Sequence, residues 1–316
     1  MTPAPAYRGR FAPSPTGPLH HGSLIAALAS FLDARHHGGE WLLRIEDLDP
    51  PREVAGAADR IRYSLEAHGM DWDGLSFQSR HHDAYARALE QLHTKGRLFR
   101  CSCTRARLGP GGHCGRRCDP MESEDVALRI DLEGVESFDD FILGPMNRCP
   151  LPADVILRRR DGLYAYALAV VVDDAGQDIT HVLRGQDLLD QTAVQLALLR
   201  ELGCPPPAYG HMPLLVDAAG KKLSKQTGAA AVDDRQAMSN LRRALELLGQ
   251  VSATAPAAST RELVGQAVRE WTRGPLIHRQ GQAYVSGSQY DGEEPGEVAS
   301  GPASAHESDL RGLNRS

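Results

Sequence analysis

The sequence predicts an α/β fold: an open parallel sheet with helices on it, interrupted by a cysteine-bearing insertion and closed by a short helical part. Three observations predict it. From Tyr7 onward, apolar runs of strand length alternate with runs of helical spacing. Between about residues 99 and 151 the alternation stops and cysteines cluster. It then resumes and ends in helix-like stretches before Pro275. A chain of 316 residues, 41% hydrophobic and 24% charged, suits one large or two modest domains.

Each element follows from its own pattern. Residues 7–12 read as a strand that prolines and Gly17 stop at once. Residues 23–34 place Leu24, Ile25, Leu28, Phe31 and Leu32 at helical spacing. Residues 41–45, WLLRI, read as a buried strand, and 54–67 and 83–92 as amphipathic helices. Within the insertion, 127–130 are strand-like. A strand at 155–159 precedes an Asp161-Gly162 turn, and a second at 179–183 ends at Arg184-Gly185. A helix over 188–202 follows, then 212–216 lead into a Gly-Lys-Lys loop. Residues 234–248 and 260–272 read as helices. Beyond them the chain is rich in Gly, Ser, Glu and Pro and cannot bury enough apolar surface to offset its ordering entropy. The expected organisation is therefore 1–98 as the first half of a catalytic domain, 99–151 as the insertion, 152–233 as the second half, 234–275 as helices and 276–316 as a disordered tail. There are no internal repeats.

Bulk properties narrow the function. A net charge of −6 gives no overall electrostatic case for nucleic acid, so any RNA contact must use local patches such as Arg105, Arg107, Arg116 and Arg117, or Arg158 to Arg160. No apolar run approaches the ~18 residues of a membrane span, and the first residues lack a signal-peptide core. A cytoplasmic protein with no membrane partner is expected.

Three segments carry chemistry. GRFAPSPTGPLHHGSLIAAL joins the first strand to the first helix, where open α/β sheets hold ligands. There Gly17 and Gly22 allow close backbone approach, the helix N-terminus suits phosphate, and His20 and His21 can donate to phosphate oxygens. AAGKKLSKQTG sets Lys222 and Lys225 around Ser224, two cations able to neutralise a polyphosphate. Taken singly, each also reads as a capped turn or a solvated loop. The third, CSCTRARLGPGGHCGRRC, offers Cys101, Cys103, Cys114 and Cys118 across a glycine-rich turn, a set suited to a tetrahedral structural Zn2+, with His113 as an alternative fourth ligand. Cys149 and Cys204 are isolated. Elsewhere, Arg10 and Arg184 at strand ends are candidate carboxylate forks, Glu46 a candidate ammonium partner, and Tyr166 a hydroxyl on an aromatic body.

Together these segments resemble the class I aminoacyl-tRNA synthetases: His20-His21-Gly22-Ser23 is similar to their HIGH element, and Lys222-Leu223-Ser224-Lys225-Gln226 to KMSKS, in that order. RFAPSPTGPLHHGSL, RIEDLDPPR and YALAVVVDDAGQDITHVLRGQDLL resemble the glutamyl subgroup, over roughly residues 8–271. His21 departs from the pattern, standing where an aromatic is expected, and reads as a lining residue. The resemblance implies a Rossmann-like parallel sheet with a zinc-bearing insertion. It implies L-glutamate held against Arg10, Phe11, Ala12, Pro13, Ser14, Glu46, Tyr166 and Arg184. It implies ATP with Mg2+ against His20, Gly22, Ser23, Lys222 and Lys225, with His20 and Lys225 stabilising the charge that develops on the phosphates. The chain after Gln226 reads as too short for an anticodon-binding domain, so the catalytic domain is expected to meet its acceptor nucleotide directly. The resemblance points to a short branch of the subgroup that transfers glutamate to queuosine in the tRNA(Asp) anticodon loop, acting as a monomer. Two other readings stay open: a truncated synthetase charging a tRNA 3′ end, and a non-catalytic zinc-bearing RNA-binding protein.

Overall fold

The computed structural model describes residues 6–108, 112–115, 126–132, 134–213, 215–216, 231–278 and 284–285. Lys222, Lys225, Cys118, Arg116 and Arg117 lie outside the described residues.

The N-terminal half alternates as expected. β1 (Arg8–Phe11), α1 (His21–His36), β2 (Glu40–Ile45), α2 (Ala57–Ala67), β3 (Gly74–Phe77) and α3 (His82–Thr94) follow in turn. β2 pairs in parallel with both β1 and β3. α1 is apolar nearly all round because it is covered on two sides. It packs on β1, β2 and β9 (His181–Gly185), and also against α7 (Ala237–Leu247) and α8 (Thr260–Glu270). Beneath it Trp41 is fully buried, donating from Nε1 to Ser30 Oγ at 3.0 Å and meeting the Phe31 ring edge-on at 5.2 Å.

The middle of the chain builds two structures. β4 (Leu98–Cys101), the short α4 (Arg105–Leu108), β5 (Ala127–Asp131) and β8 (Asp154–Arg158) come first, with β4, β5 and β8 forming an antiparallel sheet. β6 (Val135–Asp140) and β7 (Gly144–Pro150) form a hairpin that does not stay with that sheet. β6 pairs in parallel with β10 (Ala208–Met212), which pairs in parallel with β9. Gly210 of β10 is required there, since a Cβ would collide with the Phe141 ring. Part of the 99–151 segment thus belongs to the sheet of the second half.

α5 (Tyr166–Gly176) and α6 (Leu189–Leu202) complete the α/β pattern. α5 is absent from the elements read in the sequence. Thr180, just ahead of β9, donates its N–H to Arg8 O at 2.9 Å, so the β1–β2–β3 sheet abuts the β9–β10–β6–β7 sheet along β1 and β9. The chain leaves β1 toward one side and β9 toward the other, which is a topological switch point.

The C-terminal helices are tied to α1 by one buried carboxylate. Asp33 accepts from Tyr7 Oη (2.5 Å), Trp271 Nε1 (2.8 Å) and both Arg273 Nε and Nη2 (2.8 Å each). Burial pushes this carboxyl up, but Arg273, Tyr7 and Trp271 outweigh that and hold it below the ordinary carboxylate range. Past the expected 276 boundary, α9 (Gly274–His278) seats Leu276 in the core. β11 (Leu215–Val216) pairs with β12 (Tyr284–Val285).

Candidate active site

The carboxyl ends of β1, β2 and β9 lie side by side, the place where open α/β sheets hold ligands. Between β1 and α1, Gly17 takes φ 139°, a backbone region that suits only glycine. The Pro13 carbonyl accepts from Glu46 N–H (3.0 Å) and the Pro15 carbonyl from Val54 N–H (3.0 Å), which pin this joint to the chain after β2. Phe11 stacks on Trp41 at 6.3 Å, Ala12 continues the joint, and Ser14 is exposed with its carbonyl accepting from Thr16 N–H (2.8 Å).

His20 caps α1. Its Nδ1 accepts from Ser23 N–H (3.1 Å), so Nε2 is the protonated nitrogen, 2.9 Å from Ser23 Oγ. Gly22 and Ser23 fill the first turn, where the positive end of the helix dipole favours an anion. Ala231 bridges to His20, and Val232 donates to Leu19 O at 2.9 Å. The chain therefore re-enters the described residues beside His20, directly after the lysine segment.

Three buried arginines at these strand ends stand in different electrostatic states. Arg10 is buried and donates from Nε (3.2 Å) and Nη2 (3.1 Å) to Asp174 of α5. A fork read in the sequence as open to substrate thus has two of its nitrogens committed. Arg44 is fully buried, with Nη2 2.7 Å from Asp174 Oδ1 and Nη1 donating to Gln177 Oε1 at 2.9 Å. Desolvation penalises Asp174, but Arg10 and Arg44 outweigh it and lower its carboxyl to about 2. Asp173 beside it accepts from Gln78 Nε2 (2.7 Å) and Tyr85 Oη (2.8 Å).

Arg184 differs. It is 5% exposed, and it donates to neutral groups: His211 Nε2 (3.1 Å), Thr192 Oγ1 (2.8 Å) and Leu188 O (3.3 Å). Its Nη1 is buried without a hydrogen-bond partner. Desolvation lowers the guanidinium below its ordinary value, whereas Arg10 and Arg44 are raised by their carboxylates. A buried cation in this state calls for an anionic ligand.

Glu46 and Tyr166 face the same charges. Desolvation raises the Glu46 carboxyl to about 7 against the pull of Arg44 and Arg10, and Arg44 Nη2 stands 3.9 Å from its Oε1. An ammonium placed there would restore its ionisation. The Tyr166 hydroxyl is raised by desolvation and then by the Glu46 charge. Of the candidates read in the sequence, Arg10, Glu46, Tyr166 and Arg184 thus come together, and His20, Gly22 and Ser23 form the neighbouring helix terminus. Sequence reasoning missed Arg44, Asp174, Tyr209, His211, Asp140 and Thr192. The signal for Asp174 was present: two adjacent acids inside an apolar run must find partners when buried.

The cysteines form a separate centre. Among the described residues, the Sγ atoms of Cys101, Cys103 and Cys114 all lie within 4.8 Å of one another. Asp154 shapes this knuckle: its Oδ2 accepts the N–H groups of Cys114 and Gly115 (2.7 Å each), and it pairs with buried Arg129. His113 directs Nδ1 to the Asp154 carbonyl at 3.0 Å. No helix among the described residues is long and apolar enough to cross a membrane.

Comparison with known proteins agrees with this architecture. The family described as tRNA synthetases class I (E and Q), catalytic domain, matches residues 6–114 and 115–248. A glutamyl-Q tRNA(Asp) synthetase of Chromobacterium violaceum is 50% identical over 85% of this chain and 97% of its own length. One from Xanthomonas campestris pv. campestris is 48% identical over 84% and 92%. The crystal structure of a glutamate tRNA ligase from Elizabethkingia meningosepticum, in complex with its amino acid, superposes with a TM-score of 0.71 at 26% identity, covering 86% of this chain and 66% of that one. Glutamate-tRNA synthetase from Elizabethkingia anophelis gives 0.74 at 26% identity, covering 89% and 68%. With relatives this similar along nearly their whole length, and a family match that runs through both halves of the sheet, the chain belongs to the glutamyl-Q tRNA(Asp) synthetases of the class I tRNA synthetase family.

Proposed function

We propose that this protein activates L-glutamate with ATP and transfers it to the queuosine at the wobble position of tRNA(Asp). The observation that carries the reading is Arg184, a buried guanidinium with neutral partners and an unpartnered Nη1, together with Glu46, whose carboxyl burial raises to about 7. A substrate with two carboxylates and one ammonium completes both charges. The names of the relatives support the acceptor.

In this reading glutamate lies along Arg10 to Ser14, with its ammonium at Glu46, its side-chain carboxylate at Arg184 and Tyr166 lining the site. ATP, as its Mg2+ complex, lies at Gly22, Ser23, Lys222 and Lys225. An α-carboxylate oxygen attacks the α-phosphorus in line, a new P–O bond forms, and the bond to the bridging oxygen breaks to release pyrophosphate. His20 Nε2–H, the α1 N-terminus and Lys225 stabilise the charge on the phosphates, so the enzyme acts by positioning and electrostatics. A hydroxyl of the queuosine cyclopentenediol then attacks the anhydride carbonyl, AMP leaves, and the hydroxyl proton passes to solvent. RNA loops expose unstacked bases that such a site can accept. The chain divides, in this reading, into catalytic halves 1–98 and 152–233 around the 99–151 segment, with helices at 234–275 and a tail after them. It works as a monomer in the cytoplasm, where its substrates are.

The test is transfer of glutamate to tRNA that carries or lacks queuosine, with nuclease digestion and mass spectrometry. Glutamate on the wobble nucleoside of queuosine-containing tRNA(Asp) is expected. Glutamate on the terminal adenosine alone would establish the truncated-synthetase alternative. Absence of glutamate-dependent ATP–pyrophosphate exchange would favour the RNA-binding alternative.

The cysteine centre fits a structural zinc. Tetrahedral thiolates about 2.3 Å from zinc lie about 3.8 Å apart, and Cys103 Sγ to Cys114 Sγ is 3.7 Å. Cys118 is the proposed fourth ligand, and His113 is the alternative, since a ring whose Nδ1 meets the Asp154 carbonyl can still coordinate through Nε2. About one zinc per chain is expected on metal analysis. Cys101→Ser and Cys118→Ser should each lose most of it, and full retention in both would remove the assignment.

A further inference from the structure

The residues that hold Arg184 in place are themselves held by a second set. His211, on β10, is fully buried. Its Nδ1 lies 2.5 Å from Asp140 Oδ2, on β6, and its Nε2 lies 3.1 Å from Arg184 Nε and 3.0 Å from Thr192 Oγ1. A guanidinium N–H can only donate and an ionised carboxylate can only accept. These two neighbours therefore fix one state of the ring: neutral, with its proton on Nδ1 and its lone pair on Nε2 aimed at Arg184. Asp140 is fixed in turn, because its Oδ1 accepts the N–H groups of Ile142 (2.9 Å), Leu143 (2.8 Å) and His211 (3.2 Å). Thr192, on α6, accepts from Arg184 Nη2. The guanidinium also lies over the Tyr209 ring, 5.1 Å from its centroid. Every donor of Arg184 is thereby occupied except Nη1, the one left for a ligand.

We propose that Asp140 and His211 form a positioning relay that presets Arg184 for the substrate's side-chain carboxylate and releases it when His211 takes up a proton. The proposal rests on the reading of Arg184 as the glutamate anchor. Protonation would turn the acceptor at Nε2 into a donor and set a cation against Arg184. The groups facing the ring are Asp140 from β6, Arg184 from the end of β9, Thr192 from α6, Tyr209 on its own strand, and Asp187, whose charge also reaches it. Desolvation and the Arg184 charge lower the pKa of His211 against the opposing effect of Asp140, so the ring stays neutral at neutral pH. The relay is intact there and is lost as the pH falls below the ordinary histidine range.

Glutamate-dependent ATP–pyrophosphate exchange by the full chain, followed against pH, tests this. In His211→Leu the glutamate KM is expected to rise about tenfold or more, as for a lost hydrogen bond to a charged group, with the ATP KM little changed. His211→Gln supplies an amide oxygen in place of Nε2 and cannot be protonated. It should recover most of the glutamate affinity and lose the steepest acid rise in KM, while keeping the shallower change near pH 7 that belongs to Glu46. An unchanged glutamate KM in His211→Leu, or the full acid rise persisting in His211→Gln, would overturn the relay. Should His211→Leu fail to fold, the pH profile of His211→Gln decides alone. Absence of glutamate-dependent exchange in the unaltered chain would instead overturn the adenylation reading on which the relay rests.

Discussion

Arg184→Met is expected to lower kcat/KM for glutamate about a thousandfold while the melting temperature holds or rises. The two halves of that result have one cause. In the empty site Arg184 is a buried cation that donates to neutral groups, so its presence costs stability. With glutamate bound as proposed, the same charge meets a carboxylate. Removing one member of a buried ion pair typically costs about 3–5 kcal/mol, because the other is left uncompensated, and about 4 kcal/mol is about a thousandfold in kcat/KM. Pyrophosphate exchange titrated with glutamate and with ATP separates the effects: glutamate binding should weaken and ATP binding should not. A kcat/KM within a few-fold of the unaltered protein would mean that the substrate carboxylate lies elsewhere. A large fall in melting temperature would mean that Arg184 is structural.

Asp174→Asn is expected to act in the opposite sense, on stability first. Its carboxylate lies between Arg10 and Arg44, and the asparagine keeps the shape while removing the charge. Two buried guanidinium groups would be left facing each other, at a cost of about 3–5 kcal/mol. For a chain of this size that is a fall in melting temperature of roughly 10 °C. The pH dependence identifies the cause. The folded-state carboxyl is lowered to about 2, beneath its unfolded value of 3.8, so its stabilisation is present above about pH 4 and is lost as the pH falls through about 2. Asp174→Asn should lack this acid-side loss. A variant that melts like the unaltered protein, or that retains the same acid dependence, would show that Asp174 does not hold the two arginines.

The sequence is most informative where an element buries one face, and least where burial has no period. β1, β2, β9, α1, α6, α7 and α8 could be read from spacing because each has a recognisable apolar pattern and clear stops. α5 could not, because YALAVVVDDAG is covered on several sides and gives no helical period before its two acids. The β6–β7 hairpin was also hidden. β6 is two-thirds polar, and its partner β10 lies far along the chain. In the site, residues beside strand ends were legible because sheets place ligands there. His211, Asp140 and Thr192 carry no local signature. Their meaning depends on three separate elements meeting around one guanidinium.

The carboxylate of Asp33 also sets a timetable. Its partners Trp271 and Arg273 lie 238 and 240 residues further along. A ribosome adding about 5–20 residues per second makes them roughly ten to fifty seconds after Asp33. Throughout that interval the first helix has no cap of C-terminal helices and an acid facing what will become core. The N-terminal sheet can pair early, since β1, β2 and β3 are near neighbours in sequence. The helix that carries the proposed phosphate site cannot be locked until almost the last described segment is made. A nascent chain stalled before Arg273 should therefore be a chaperone client, with its strands formed and its first helix still loose.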